Sequence, residues 1–280
     1  MNIKHKTRRW IAGGSLLSLL GVVALTPFNM GGCAAGNMDI AGMVKGGGQV
    51  AQAWSLSEKD EPAMGESVVC AVTTQYPLSR DEKLNRYVNL VGLAVASGCP
   101  RHDINFCFAV LDTNEVNAFS GPAGYVMITR GAISRMNDES ELAGVLAHEI
   151  GHVVLRHGYE VTKNAMQLQG ASQLASSASR DSRFNGGADA LVKTVVSQGW
   201  EQPQEFAADQ EAVTYLVQSH YDPAGFERFL RKMEAGGGNL MSTHPGKTER
   251  VKRVTAKIDQ LKARGQGQTL ADRFAANVTK

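Results

Sequence analysis

The chain predicts an α+β fold, mainly α, and three observations carry that expectation. Apolar residues recur at helical spacing through most of residues 50–263. Two short runs, around Ile104–Val110 and Tyr125–Thr129, alternate or are β-rich instead. The strongest helical pattern, over residues 138–157, contains His148-Glu149-Ile150-Gly151-His152, an H-E-x-x-H motif that helical geometry makes meaningful.

A helix over about 57–75 has Pro62 near its first turn, and a second over 81–96 puts Leu84, Tyr87, Val88, Val91 and Leu93 on or near one face. Ile104, Phe106, Phe108 and Val110 then alternate at strand period. Gly121-Pro122-Ala123-Gly124 reads as a turn before the second β-rich run. Asn137-Asp138-Glu139-Ser140 supplies capping and acidic first-turn residues for the 138–157 helix, whose apolar stripe is Leu142, Val145, Leu146, Ile150, Val153 and Val154. Residues 164–203 are rich in Ser, Gln, Ala and Gly, which fits either a lid over a cleft or a long surface excursion. Helices are expected over about 203–219, 223–235 and 246–263, the last with Val251, Val254, Ile258 and Leu261 at core spacing. Residues 264–280 read as a loose tail.

The N-terminus reads as an export signal. Lys4, Lys6, Arg8 and Arg9 precede an apolar run from Trp10 to about Phe28. Met30-Gly31-Gly32-Cys33 resembles a bacterial lipoprotein box, though Leu is usual where Met30 stands. It makes Cys33 the candidate lipidated first residue of a mature chain, held to a membrane by acyl chains rather than a span. The expected division is therefore 1–32 signal peptide, 33–49 Gly/Ala-rich tether, 50–263 one globular domain and 264–280 tail. Residues 1–32 hold four basic and no acidic residues, so of 29 basic and 27 acidic groups the remainder keeps 25 and 27. With no basic patch left, nucleic-acid binding is not expected. Cys70, Cys99 and Cys107 enter a disulfide-permissive compartment, and any two can bridge.

On a helix, residues four apart face the same way, so His148 and His152 can grip one Zn²⁺ per chain while Glu149 reaches a water beside it. A catalytic zinc wants a third protein ligand. His157 lies nine residues from His148, about 180° around a continuing helix, and is expected to face away as a surface or second-layer residue. Glu205-Phe206-Ala207-Ala208-Asp209 offers a better source. Glu205 and Asp209 share a helix face, so one carboxylate can bind metal while the other orients an imidazole. Ala207 and Ala208 allow close approach of the two helices; a solvated acidic face is the competing reading.

At this point the chain resembles zinc metalloproteases of the CAAX prenyl endopeptidase and HtpX type, in particular their soluble exported bacterial members of the BepA and LoiP kind. Asn117-Ala118-Phe119 with Tyr125–Gly131, Ala147–His152, Glu205–Asp209, and Ser242-Thr243-His244-Pro245 running to Arg250 carry the resemblance in order. It implies a zincin, gluzincin-like fold with a small sheet packed on the active-site helix. It also implies His148, His152 and Glu205 as metal ligands and Glu149 as catalytic base. Unfolded or misassembled envelope proteins are the implied substrates, in a periplasmic quality-control role; Ala34 behind a lipidated Cys33 is compatible with an outer-membrane destination, and plain secretion is the alternative. His244, on a stiff Thr-His-Pro turn, is a candidate oxyanion donor or a fourth ligand in a resting state. Arg250 can hold that loop or contact substrate, and the strand near Asn117, Ala118, Phe119 and Ser120, or the one at Tyr125–Thr129, can pair with an extended substrate backbone. A non-proteolytic chaperone using the same cleft is the rival reading; it has no need of Glu149.

Overall fold

The switch from helical to alternating periodicity and back orders the elements of the computed structural model, which describes residues 57–175, 193, 199–234, 244 and 247–278. A short 3-10 turn at Glu58–Asp60 leads into α1 (Glu61–Gln75), and α2 (Glu82–Ala96) is capped by Asp81, whose side chain accepts from the Leu84 amide. Strands β1 (Cys107–Leu111), β2 (Ala118–Gly121) and β3 (Tyr125–Thr129) follow. The helices α3 (Arg130–Ser134), α4 (Glu139–Val154), α5 (His157–Ala175), α6 (Gln202–Gln218), α7 (Ala224–Glu234), α8 (Lys247–Gln260) and α9 (Ala271–Asn277) complete the described chain. The predominantly helical α+β class expected from the sequence is what forms.

The sheet is mixed, in the order β1-β3-β2. β1 runs parallel to β3 with Phe108 opposite Val126, and β2 runs antiparallel to it with Phe119 opposite Met127. Both faces are covered. Phe108, Val110, Ala118, Val126 and Ile128 join the main core with α2, α4, α6 and α7, while Ala109, Leu111, Phe119 and Met127 pack on Val68, Val69 and Val72 of α1. The alternation in the sequence therefore divides β1 between two cores rather than between core and solvent. Ile104 and Phe106 precede the strand instead of belonging to it.

Helix α4 is the central element. Its N-cap Asp138 accepts from the Glu141 amide, and Glu139 and Glu141 load its first turn with buried negative charge. Lys232 and Arg228 answer Glu141 and Asp138 at 2.6 Å each. Small residues let neighbours close in: a β-carbon on Gly144 would stand 2.6 Å from Cβ of Phe226 on α7.

Two expectations are corrected here. The helix expected over 138–157 ends at Val154, with Leu155 as its cap and Arg156 in the left-handed region at φ 59°. Arg156 forms an ion pair with Glu58, and the chain turns there before α5 begins at His157. The stretch 264–280 is not a loose tail over its described residues. Gly265 and Gly267, at φ 66° and 115°, turn the chain back so that Gln268 pairs by backbone hydrogen bonds with His220 and Asp222. α9 then docks with Phe274 1% exposed in the main core and Arg273 bound to Glu139. Long-range partners, invisible to local pattern, hold it.

Cys99 and Cys107 are free thiols. No helix among the described residues is long and apolar enough to cross a membrane. The export signal, the tether, Cys33 and most of the 164–203 segment, read as a lid or a surface excursion, lie outside the described residues.

Candidate metal centre

One turn of α4 sets the imidazoles of His148 and His152 side by side, with their Nε2 atoms 3.1 Å apart. α6 crosses this turn closely and brings the fully buried Glu205, whose Oε1 lies 3.3 Å from His152 Nε2 and whose Oε2 lies 3.5 Å from His148 Nε2. From the segment before α8, His244 Nδ1 reaches 2.9 Å from Glu205 Oε1 and 3.2 Å from His148 Nε2. One donor atom from each of these four buried residues lies within 4.8 Å of the others.

The outward partners decide what faces inward. His148 Nδ1 meets the Asp209 carboxylate at 2.9 Å, and His152 Nδ1 meets His157 Nδ1 at 2.8 Å. Asp209 can only accept, so His148 carries its proton on Nδ1 and turns a bare Nε2 lone pair inward. That lone pair faces the carboxylate of Glu205, an acceptor facing an acceptor. A divalent cation between them removes the repulsion, and the observed separations match the edge of a tetrahedron with zinc-like bond lengths, about 3.3 Å. Among the described residues, Glu149 Oε1 and His244 Nε2 are buried with no hydrogen-bond partner and face each other at 3.8 Å. Buried polar atoms left unpaired in this way mark a place that expects a ligand. The donor set fits the metal the motif implies.

Electrostatics agree. Burial alone would raise the carboxyl of Glu205, but Arg250 first, then His244 and His148, hold it well below the ordinary range. Asp209 is likewise lowered against burial, chiefly by Arg250. Arg250 is 2% exposed, with Nη1 2.6 Å from Glu205 Oε2, Nη2 2.7 Å from Asp209 Oδ1, and a longer bond to the His244 carbonyl. Its fork thus ties both carboxylates to the His244 segment. Burial pushes His152 down to about 4, and burial followed by His152 pushes His157 down to about 3, so both are neutral at physiological pH. His244 is raised: burial opposes its charged form, but Glu205 and Glu149 together outweigh that.

The fold thus brings His148, Glu149, His152, Glu205, Asp209, His244 and Arg250 together. Asn117, Ala118 and Phe119 lie on or beside the outer strand β2, yet their side chains are buried. Asn117 Oδ1 accepts from the Ala118 amide, and Phe119 stacks on Tyr76. These side chains serve the core.

The roles of two residues at the site escaped sequence reasoning, and a third, His157, takes the second-layer place of its two expected ones but from the opposite direction. Ser120 Oγ donates to Glu149 Oε2 at 2.7 Å. Strand period puts Ser120 on the same face of β2 as Ala118, toward α4, which was the available signal. Trp200 lies stacked on His152, with ring centroids 4.7 Å apart and planes at 20°, and nothing local announces it. His157 does not face away. Its expected direction assumed a continuous helix, and the left-handed turn at Arg156 swings it back onto His152.

This geometry meets a family match: the Peptidase family M48 profile aligns with residues 79–258. The chain belongs to peptidase family M48. M48 membership makes it a metalloendopeptidase by family and implies a divalent metal, which the donor cluster has the ligand types to hold. It is 28% identical over 222 residues to the beta-barrel assembly-enhancing protease of Escherichia coli (strain K12), covering 74% of this chain and 46% of that protein. The chain thus spans about half the length of that relative. The metalloprotease LoiP of the same strain is 26% identical over 234 residues, 79% of this chain and 90% of LoiP. The mitochondrial metalloendopeptidase OMA1 of Arabidopsis thaliana is 30% identical over 168 residues, 56% of this chain and 33% of OMA1.

Proposed function

We propose that this M48 protein is an exported zinc-dependent endopeptidase that cuts unfolded or misassembled envelope proteins as part of their quality control. The observation that carries the reading is the buried cluster of inward-facing acceptors, His148, His152 and Glu205, beside the half-unpaired carboxylate of Glu149. These three residues would hold the zinc. When bound, zinc supplies Lewis acidity that polarises a scissile carbonyl and makes water more acidic.

Glu149 keeps Oε2 on Ser120 and presents Oε1 to accept a proton from the attacking water, then returns it to the leaving amine. Asp209 fixes the His148 tautomer, and Arg250 keeps both carboxylates ionised. His244 stands among the ligand atoms in the arrangement described, which supports a resting state with four ligands. Withdrawing His244 opens a place for substrate and frees its imidazole to donate to the carbonyl oxygen. Strand β2, outermost in the sheet, supports backbone pairing with an extended substrate, a mode tolerant of side chains.

The envelope setting draws on the export signal, on Cys33 as a lipid anchor, and on the names of the relatives. The proposed organisation is a 1–32 signal, a 33–49 tether and a protease domain from residue 50, on which residues 264–278 dock. The test is Glu149→Gln. It should retain zinc and lose casein digestion, while a chelator abolishes digestion by the parent. Cleavage retained by the variant would overturn the assigned base, and chelator-resistant cleavage would overturn the zinc mechanism.

A further inference from the structure

We propose that His157 is a positioning residue: its ring accepts the Nδ1–H of His152 and thereby fixes the tautomer and orientation of that ligand, as Asp209 does for His148. The inference rests on the zinc reading above and adds a residue that the H-E-x-x-H motif does not contain.

The two ligand imidazoles pose the same problem. Each must keep Nε2 bare and inward, so each must place its proton on Nδ1 and find an acceptor for it. His148 finds the Asp209 carboxylate at 2.9 Å. His152 Nδ1 has an imidazole nitrogen instead, His157 Nδ1 at 2.8 Å. A neutral imidazole protonated on its own Nε2 is an acceptor at Nδ1, so the pair is complete with one proton on each ring. The two rings stand edge to face, with centroids 4.9 Å apart and planes at 67°.

The backbone is bent to achieve this. Arg156 is a non-glycine residue in the left-handed region at φ 59°, a conformation that costs on the order of 1 kcal/mol and persists where its surroundings hold it. Glu58 holds the Arg156 side chain. Without that turn, continuation of α4 would carry His157 to the far side. Trp200 closes the arrangement. It stacks on His152, lies 5.8 Å from the His157 ring centroid, and is 3% exposed, so it covers one side of a part-buried hydrogen bond. His152 itself is 1% exposed, so its Nδ1–H is left short of another acceptor when His157 is removed.

The experiment compares zinc affinity, by competition with a chromophoric chelator, for the parent, His157→Leu and His157→Gln. Both substitutes fill the space, but only Gln offers an oxygen to accept from His152 Nδ1. The Leu variant should bind zinc about 10–100-fold more weakly, and the Gln variant should recover most of that loss. Thermal unfolding of the metal-free proteins should leave the two variants alike, which a packing role would not predict. Should the Leu variant fail to fold, His157→Ala serves as the acceptor-free form. Parent-like affinity without an acceptor overturns the inference. A Gln variant as weak as Leu also overturns it, because His157 would then act through packing or as a ligand itself. If the parent binds no zinc, the zinc reading fails first and carries this inference with it, an outcome distinct from the other two.

Discussion

Gly151 meets Ala208 backbone to backbone: a β-carbon on Gly151 would stand 2.9 Å from the Ala208 carbonyl oxygen and 3.1 Å from its Cα. This glycine lies between His148 and His152, the two histidines proposed as ligands, and Ala208 lies between Glu205 and Asp209. The contact therefore sets the distance over which a carboxylate from α6 reaches imidazoles on α4. Gly151→Ala pits two effects against each other. Alanine favours the helix by about 1 kcal/mol, whereas overpacking costs about 1–3 kcal/mol. Overpacking should win, because the obstructing atoms belong to the backbone and cannot rotate aside. The variant should be less stable to denaturant and bind zinc more weakly. A variant of raised stability and unchanged affinity would show that the helices separate freely.

Ser120 acts on the proposed base rather than on the metal. Its hydroxyl is the partner of Glu149 Oε2, and hydrogen bonds to charged groups are worth about 1.5–3 kcal/mol. Ser120→Ala should lower kcat by about tenfold to a hundredfold, leaving zinc content and KM near those of the parent. Ser120→Thr keeps the hydroxyl and should restore most of the rate. Steady-state kinetics with a peptide substrate would decide it; an unchanged kcat for the Ala variant would leave the serine with no part in positioning Glu149.

Arg250 is the sole guanidinium shared by Glu205 and Asp209 among the described residues. Removing one partner of a buried charge cluster exposes the others to an unrelieved desolvation cost, about 3–5 kcal/mol. Arg250→Ala should therefore be destabilised by about that amount in urea unfolding. Arg250→Lys returns the charge but not the planar fork, and should recover only part. A metal-free Ala variant as stable as the parent would mean that the two carboxylates are already neutralised by protons.

What the sequence disclosed, and what it withheld, follows from the range of each interaction. His148 with His152, and Glu205 with Asp209, were legible as pairs because a helix repeats its directions every three to four residues; that Glu205 joins the histidines was implied by the family resemblance, not by spacing. His157 was misread because that rule holds only while the helix continues. The break falls at Leu155-Arg156, which has neither Gly nor Pro to announce it. Trp200 lies 48 positions from His152 in the sequence, and no periodicity links them. The docked C-terminal helix was missed for the same reason, since Phe274 and Arg273 meet their partners on α2 and α4. The alternation of β1 was visible, but not that both its faces are covered, because that depends on where α1 lands.

Glu139 extends the same logic to pH. It is fully buried at the start of α4 and accepts hydrogen bonds from Tyr87 at 2.8 Å, Tyr221 at 2.6 Å and Arg273. Burial works to raise its pKa, yet Arg273 and the two tyrosines together lower it below the ordinary value. A group whose folded pKa is depressed contributes stability that is complete above its unfolded pKa, about 4.3 for Glu, and is lost as pH falls through the folded value. The tyrosines behave oppositely. Burial first, then Glu139, raises both Tyr87 and Tyr221, so their contribution is complete below about pH 10 and fades above it. Between these limits the network should keep α4 anchored, and with it the histidines at its other end. Glu139→Gln should be less stable at neutral pH, with a shallower loss of stability below about pH 4. Urea unfolding across the acid range measures both; a variant whose acid slope matches the parent's would assign the acid sensitivity to other carboxylates.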